Sequence, residues 1–322
     1  MQDERDGCEL KMADVVAAQA RIAPFIHRTP VITSHALDAI LGCRAYFKCE
    51  NLQRAGAFKA RGAHNAVFQL SEAQARAGVV THSSGNHGAA LALAARNRGI
   101  PATVVMPANA AEVKKSAVAR YGARVALCEP TLEARERTTA QIIAASGAEL
   151  VHPYDDLRVM AGQGTVALEL LEEVPDLDVV LCPVGGGGLL SGVAVASKAL
   201  RPAIRVVGAE PEQADDAHRS LRAGRRLPPG HPHTIADGLR GALSERTFAV
   251  IRAHADDILT VSEASIITAM RSAWEILKVL IEPSAAVPLA LLMQHRTLAA
   301  GGRVGVVFSG GNVDLERLPW QS

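Results

Sequence analysis

The sequence predicts an α/β protein of two lobes, each a parallel-rich sheet flanked by helices. Three observations carry this. Short β-branched runs alternate with helical patterns, which calls for parallel strands joined by helical crossovers. Asp178 to Pro183 is almost continuously apolar, as a strand buried on both faces is. A chain of 322 residues with 48% hydrophobic content can build one large core or two smaller ones.

Taken in order, Val79 to His82 reads as a strand and Ala89 to Arg98 as an Ala-rich helix stopped at Gly99. Ala102 to Met106 is the next strand, and Ala111 to Tyr121 the next helix, closed by Gly122. Arg124 to Leu127, a helix from Leu132 to Ala145, and Glu149 to His152 complete a first β-α-β-α-β-α-β series. The second series starts after Asp155 with a helix from Gly164 to Val174, the strand Asp178 to Pro183, and a glycine run. The helix Leu189 to Leu200 and the strand Arg205 to Ala209 follow. Arg219 to Thr234 is polar and rich in Pro and Gly, so it reads as an irregular surface segment. Ala264 to Leu277 and Ala285 to Met293 are helical, and Arg303 to Phe308 is a last strand. A cleft between the lobes is the default site for a small ligand.

Composition excludes several classes. The net charge of +1, from 34 basic and 33 acidic residues, supplies no field for nucleic acid and no polybasic run for a membrane surface. Aromatic residues make up only 3%, too few for base-stacking platforms. Cys8, Cys43, Cys49, Cys128 and Cys182 are odd in number and form no CxxC pair, so they read as reduced thiols. The first residues, MQDERDGCELKM, hold no apolar signal core, and no apolar stretch is long enough to cross a bilayer. The expectation is a soluble, cytoplasmic protein.

Four segments carry chemistry. Pro183-Val184-Gly185-Gly186-Gly187-Gly188-Leu189 lies between a strand and a helix, where bare amides and a helix N-terminus suit a phosphate. A tight turn is its plainer reading. Its rival is a dinucleotide site, since Gly186, Gly188 and Gly192 give GxGxxxG and Glu210 ends the next strand. That rival departs from GxGxxG and leaves Lys59 without a role. Ser83-Ser84-Gly85-Asn86-His87-Gly88 can cradle a small carboxylate or simply cap a helix. In the stretch Glu50 to Ala63, Lys59 stands after Phe58 among small residues; alone it reads as a solvated charge. Ser309-Gly310-Gly311-Asn312 follows a buried strand, at the end where ligands of parallel sheets sit, and otherwise reads as a turn.

These four segments, in this order, resemble the serine racemase and serine/threonine dehydratase family of fold-type II pyridoxal-phosphate enzymes. The likeness runs from about Thr29 to Asp314 and includes His152-Pro153, Ala161-Gly162-Gln163-Gly164-Thr165, Thr234-Ile235-Ala236-Asp237-Gly238 and Ile281-Glu282-Pro283-Ser284. The resemblance implies a fold like the β subunit of tryptophan synthase. Residues 1–77 and 153–322 would form a large cofactor-binding domain, and 78–152 a small mobile one. It implies pyridoxal 5'-phosphate bound to Lys59 as a Schiff base, with Phe58 and Tyr154 beside the ring. Gly185, Gly186, Gly187, Gly188 and Leu189 would hold its phosphate, Asn86 its ring hydroxyl, and Ser309 would face its pyridine nitrogen. Ser83, Ser84, Asn86 and His87 would surround the substrate carboxylate.

The same resemblance implies a divalent cation, magnesium or else calcium or manganese, on the stretch Ala209 to Asp216. Its ligands would be Glu210, Asp216 and the carbonyl of Ala214, an oxygen shell such ions take. This branch includes 3-hydroxyaspartate dehydratases, and Arg135 and Arg240 are candidates to pair a second carboxylate; solvated surface arginines are the plainer reading. Three departures bear on the pocket. Ala89 stands where animal serine racemases carry a nucleotide-contacting glutamine, although Lys114 and Tyr121 match. Tyr154 replaces an asparagine, and Gly241 a substrate-side serine.

The implied reaction is loss of water and then ammonia from a β-hydroxy L-amino acid (serine, threonine or 3-hydroxyaspartate), catalysed by a homodimer. Racemisation of serine, with Lys59 and Ser84 as opposed bases, is the alternative on the same scaffold. A non-catalytic binder and an NAD-dependent dehydrogenase are the readings from other classes.

Overall fold

The computed structural model describes residues 9–83 and 85–321; Cys8 and Ser84 lie outside them. Helix α1 (Met12–Ile22), strand β1 (Val31–Ile32), helix α2 (His35–Leu41) and strand β2 (Arg44–Cys49) open the chain, followed by α3 (Lys59–Val67) and α4 (Glu72–Ala77). Strands β3 (Val79–His82), β4 (Ala102–Pro107), β5 (Arg124–Cys128) and β6 (Glu149–Leu150) then alternate with α5 (Asn86–Arg98), α6 (Glu112–Arg120) and α7 (Leu132–Ser146). Next come α8 (Leu157–Glu173), β7 (Val179–Pro183), α9 (Gly188–Leu200), β8 (Arg205–Pro211) and α10 (Asp216–Ala223). The chain closes with α11 (Glu245–His254), β9 (Asp257–Val261), α12 (Glu263–Ser272), α13 (Pro283–Gln294) and β10 (Arg303–Phe308).

Among the described residues these strands form two sheets. One has six strands in the order β1-β2-β10-β7-β8-β9, parallel except for the antiparallel pair β1–β2. The other has four parallel strands in the order β5-β4-β3-β6. The central strand β7 is buried along its whole length, as its unbroken apolar run requires.

The expected strands β3 to β8 and β10, with the helices between β3 and β8, are present with ends moved by a few residues, whereas α10, α11 and β9 were not expected and α10 carries Arg219 to Ala223, the start of the stretch expected to be irregular. The larger differences have physical causes. Helix α8 begins at Leu157 rather than Gly164, and continues through Gly162 and Gly164. Both are packing positions: a Cβ on Gly162 would stand 2.6 Å from Gly62 Cα, and one on Gly164 2.9 Å from the Gly192 carbonyl. The expected single helix Ala264–Leu277 is α12 followed by a π-helical turn, Ala273–Leu277, that ends at Lys278 with φ of 60°. Helices α1 to α4 and strands β1 and β2 had no distinct signal. From Ala60 to Val67 every residue of α3 is buried, so it shows no polar face to reveal its period.

Helix α3 is anchored by a buried ionic cluster. Arg61 donates to Glu50 through Nε (2.7 Å) and Nη2 (2.8 Å), and to Glu169 through Nη1 (2.7 Å) and Nη2 (2.8 Å). Lys48 completes it, donating to Glu169 at 2.6 Å and to the Thr29 carbonyl at 2.6 Å. Two cations thus balance two carboxylates, and β2, α3 and α8 are tied together directly beneath Lys59.

Candidate active site

Five strand ends converge. Strands β2, β10 and β7 are neighbours in the large sheet, and the loops leaving their C-terminal ends carry Lys59, Ser309 and the glycine run. Strands β3 and β6 are neighbours in the small sheet, and the loops after them carry Ser83–His87 and Pro153–Tyr154. Ligands of open parallel sheets sit at such ends.

The loop before Lys59 is laced to the loop after β10. The Phe58 amide donates to the Ser309 carbonyl at 3.0 Å, the Gly311 amide to the Gly56 carbonyl at 2.9 Å, and Ala57 and Gly310 form an antiparallel bridge. The approach is so close that a Cβ on Gly56 would lie 2.3 Å from Asn312 Oδ1, and Gly56 also has φ of 71°. Beside it, Ala55 has φ of 57°, an uncommon conformation for a residue with a side chain. Lys59 is then the first residue of α3. Its Nζ donates to the Pro153 carbonyl at 2.7 Å and sits 5.0 Å from the centre of the Phe58 ring. Burial lowers this amine to about 8, with Glu282 pulling the other way.

Opposite lies the glycine loop, leading into α9. Gly187 caps the helix with φ of 87° and offers no side chain. Among the described residues, the amides of Gly185, Gly186 and Gly187 have no hydrogen-bond acceptor. The first-turn amides of α9, including Gly188 and Leu189, have no intrahelical acceptor either. Neighbours crowd every Cα of this loop: a Cβ would stand 2.9 Å from Leu239 Cα at Gly185, and 2.3 Å from the Tyr154 ring at Gly186. Only bare backbone fits, and it leaves a ring of unsatisfied donors at a helix N-terminus. That donor set fits a phosphate.

Across the cleft, Asn86 starts α5. Its Nδ2 donates to Glu282 at 2.8 Å, and its Oδ1 accepts from Asn312 Nδ2 at 2.9 Å. Burial raises the Glu282 carboxyl to about 8, and Asp237 adds to the rise. Ser83 Oγ accepts the Gly85 amide at 3.3 Å. His87 is buried, and its Nε2 donates to the Val151 carbonyl at 3.0 Å, while Nδ1 has no partner. Burial holds it well below the usual imidazole range, so the ring is neutral. With Nε2 spent on Val151, an anion here would rest on the amides of Asn86 and His87 at the start of α5, since the Gly88 amide already donates to the Gly85 carbonyl at 3.1 Å. Ser309 is buried at the end of β10. Ser84, expected opposite Lys59, lies outside the described residues.

Of the outer candidates, half-buried Arg135 on α7 has no carboxylate partner among the described residues. Arg240 is turned away, donating through Nε and Nη2 to the Thr234 carbonyl. Lys114 reaches Asp237 at 2.6 Å. Glu210 and Asp216 are both buried. Glu210 accepts the amides of Ala217 (3.1 Å) and His218 (2.8 Å), and Asp216 accepts that of Leu243 at 3.3 Å. Burial raises both carboxyls, with the charge of Asp216 adding to the rise at Glu210 and that of Asp215 to the rise at Asp216. Two buried acids whose ionised forms are disfavoured supply oxygens that fit a bound cation.

Sequence reasoning gave no role to Glu282, to the Pro153 carbonyl, or to the His82–His152–Tyr154 stack. Glu282 directly precedes Pro283, the first residue of α13. A carboxylate before a helical proline reads as a cap, and nothing local signals its reach to Asn86.

The model of the family described as Pyridoxal-phosphate dependent enzyme matches residues 22–310. A beta-hydroxyaspartate dehydratase of Paracoccus denitrificans is 51% identical over 307 residues, spanning 95% of this chain and 98% of that protein. A serine racemase of Oryza sativa is 47% identical over 324 residues, spanning 99% and 95%. Among solved structures, maize serine racemase superposes with a TM-score of 0.93 at 46% identity, covering 95% of this chain and 94% of that one.

Proposed function

The chain belongs to the pyridoxal-phosphate dependent enzyme family, and from that we infer an ammonia-lyase that removes water and then ammonia from a β-hydroxy L-amino acid: serine, threonine or 3-hydroxyaspartate. The observation that carries this reading is the Lys59 amine, lowered to about 8 and held at the Pro153 carbonyl, whose neighbour Tyr154 packs on the glycine loop with its three orphaned amides. The dehydratase named among the relatives supports it.

In this reading the bound cofactor acts as an electron sink that acidifies the substrate Cα–H. Lys59 would hold the cofactor, and its free amine would take the α-proton at Nζ. Its lowered pKa leaves part of the amine neutral near pH 7, as a base requires. Gly185 to Leu189 bind the phosphate through backbone amides, and the α9 dipole adds to the attraction. Phe58 and Tyr154 flank the ring. Asn86 donates to the ring hydroxyl, and Ser309 presents a hydroxyl to the ring nitrogen without enforcing its protonation. The Ser83–His87 turn orients the substrate carboxylate. Lys59→Ala is expected to lose both the visible absorbance of the holoprotein and ammonia release. A variant that kept wild-type turnover would overturn the reading.

Racemisation, with Ser84 on the face opposite Lys59, is favoured by the likeness to serine racemases. Keto acid and D-serine measured together, in wild type and Ser84→Ala, separate the two outcomes.

A divalent cation on Glu210, Asp216 and the Ala214 carbonyl belongs to the same reading. Among the described residues no three His, Cys, Asp or Glu side chains gather as a metal cluster, so this carbonyl and water would complete the shell. Magnesium or calcium should raise the melting temperature of wild type and not of Glu210→Gln. We further read residues 78–152 as a small domain closing on the remainder, since the four-stranded sheet lies wholly within them. A homodimer follows from the family resemblance. Cys43, Cys49, Cys128 and Cys182 are free, which supports a reducing, cytoplasmic setting. No helix among the described residues is long and apolar enough to cross a membrane.

A further inference from the structure

The segment from Lys278 to Glu282 lies outside helix and strand, yet two side chains from elsewhere hold its carbonyls. Asn51 Nδ2 donates to the Leu280 carbonyl at 3.0 Å, and Trp274 Nε1 donates to the next one, that of Ile281, at 3.1 Å. The Glu282 amide in turn donates to the Gly310 carbonyl at 3.0 Å. The segment rests directly on the loop after β10. A Cβ on Gly311 would stand 2.8 Å from the Leu280 carbonyl oxygen, and one on Gly310 would stand 2.5 Å from Glu282 Oε1. Two adjacent glycines therefore let the Glu282 carboxyl pass over bare backbone on its way to Asn86.

The entry to this segment is strained. Helix α12 widens into the π-helical turn Ala273–Leu277 and stops at Lys278, whose φ of 60° is uncommon for a residue with a side chain. Among the described residues the only other non-glycine with positive φ is Ala55. The Ala55 carbonyl accepts from Asn312 Nδ2 at 2.8 Å, and the same Nδ2 holds Asn86. Both strained residues thus lie on chains that end at the Asn86 amide. π-turns and strained backbone concentrate at functional sites. The turn also carries Trp274, which reaches seven residues forward to the segment that the turn launches. Its ring is fixed by packing: Trp320 meets it edge-on with centroids 5.3 Å apart, and Arg271 covers Trp320 at 5.7 Å. An indole suits such a post, because its one donor sits on a rigid apolar ring.

Resting on the reading above in which Asn86 donates to the cofactor ring hydroxyl, we propose that Trp274 and Asn51 are positioning residues for the cofactor: by holding the Ile281 and Leu280 carbonyls they set the reach of Glu282 to Asn86. Both act through Glu282 and not on the cofactor itself. A surface connection can leave its carbonyls to water, so two side-chain pins, a π-turn and a left-handed residue are more than joining α12 to α13 requires. What they share is the placement of one carboxyl.

The test has two readouts. The first is the dissociation constant for pyridoxal 5'-phosphate by absorbance titration. The second is the visible band of the holoprotein, which reports the hydrogen bond at the ring hydroxyl. Trp274→Phe keeps an aromatic ring and removes the donor; Asn51→Ala removes the other pin. Each should weaken cofactor binding about threefold to tenfold, the effect of one neutral hydrogen bond. Each should also shift the visible band in the same direction as Glu282→Ala does. In the Glu282→Ala background both should change the constant by less than about twofold, because no carboxyl is left to position. A merely structural role would cost as much in that background as in wild type. Losses of equal size with and without the Glu282 carboxyl, or no loss from either variant, overturn the proposal and leave the dehydratase reading standing. Coupling of Trp274 and Asn51 to Glu282 in cofactor affinity, with no ammonia released from any β-hydroxy amino acid, supports the proposal and overturns the dehydratase reading.

Discussion

Glu282 fixes the amide of Asn86: Oε1 accepts Nδ2 at 2.8 Å, while Asn312 Nδ2 donates to the other end of the same amide at 2.9 Å. Flipping the Asn86 amide would set donor against donor at Asn312. The second N–H of Nδ2 has no acceptor among the described residues. Glu282→Ala should release the amide and weaken cofactor binding by about tenfold, near 1.4 kcal/mol. Glu282→Gln, which can still offer an acceptor, should lose less. Cofactor dissociation constants by absorbance titration measure both. Equal losses in the two variants would show that Glu282 does not act through Asn86.

The same carboxyl makes stability depend on pH. Glu282 is raised to about 8 in the folded chain, so between its ordinary pKa and about 8 the unfolded state has lost a proton that the folded state keeps. Its contribution is full at low pH and is withdrawn as pH rises through that window. Glu282→Gln should therefore gain on wild type as pH rises from about 5 to 8 in denaturant titrations. A stability difference independent of pH over this range would contradict the raised carboxyl.

His64 should dominate a different pH window. Its Nδ1 donates to the Ala60 carbonyl at 2.7 Å, and its Nε2 accepts from Asn97 at 2.9 Å, so the Asn97 donor demands an unprotonated Nε2. Burial lowers it to about 4. Below its ordinary value the unfolded state takes a proton that the folded ring refuses, so stability falls as pH drops from about 6.5 to about 4. The full effect is about 3 kcal/mol for this one group. His64→Gln should flatten that slope, whatever it costs at pH 7. Unfolding free energies at steps between pH 7 and 4 check it.

Two arginine–glutamate pairs let burial be weighed against exposure. Arg61 is fully buried and donates to both Glu50 and Glu169, so Arg61→Ala strands two carboxylates and Lys48 in the core. That should cost roughly 3–5 kcal/mol. Arg28 holds Glu172 at a similar 2.8 Å, yet its side chain is 56% exposed. Arg28→Ala should cost less than about 1 kcal/mol. Comparable losses at the two positions would mean that the Arg61 cluster contributes little.

The parts of this architecture with a repeating local signal were legible in the sequence, and those created by distant pairing were not. β-branched runs alternating with helices announced the strands from β3 to β8 and the last strand β10, because each parallel crossover repeats one local pattern, while β9 went unread. Helix α3 escaped because it is buried on every side. Helix α8 was cut short because Gly162 and Gly164 lowered its propensity, while packing against Gly62 and Gly192 is what they serve. In the site, the glycine loop, Lys59 and Asn86 could be named from motifs that lie together in sequence. The contact of Asn86 with Glu282 joins residues nearly two hundred apart, and the seat of Tyr154 needs three glycines from two separate loops. Neither leaves a periodic trace.

Gly192 sets propensity against sterics. It lies inside α9, where alanine is favoured over glycine by about 1 kcal/mol, so propensity alone predicts that Gly192→Ala stabilises. The crossing with α8 predicts the reverse. A Cβ at 192 would stand 2.3 Å from the Met160 carbonyl oxygen and 2.5 Å from the Gly164 nitrogen, both backbone atoms of a buried helix. Neither can give way by a rotamer change, so the helices must separate along a seam beside the glycine loop, which puts the cost at the upper end of overpacking, about 3 kcal/mol. Sterics should therefore win, with a net loss of about 2 kcal/mol in denaturant unfolding. Gly230 is the control: no atom lies within 4 Å of its would-be Cβ, so Gly230→Ala should be neutral or slightly stabilising. The displacement should also reach the site, because α9 carries the phosphate-facing amides at its N-terminus. Gly192→Ala should then weaken cofactor binding, and Gly230→Ala should not. A Gly192→Ala protein with wild-type stability and cofactor affinity would show that α8 and α9 can part without disturbing the glycine loop.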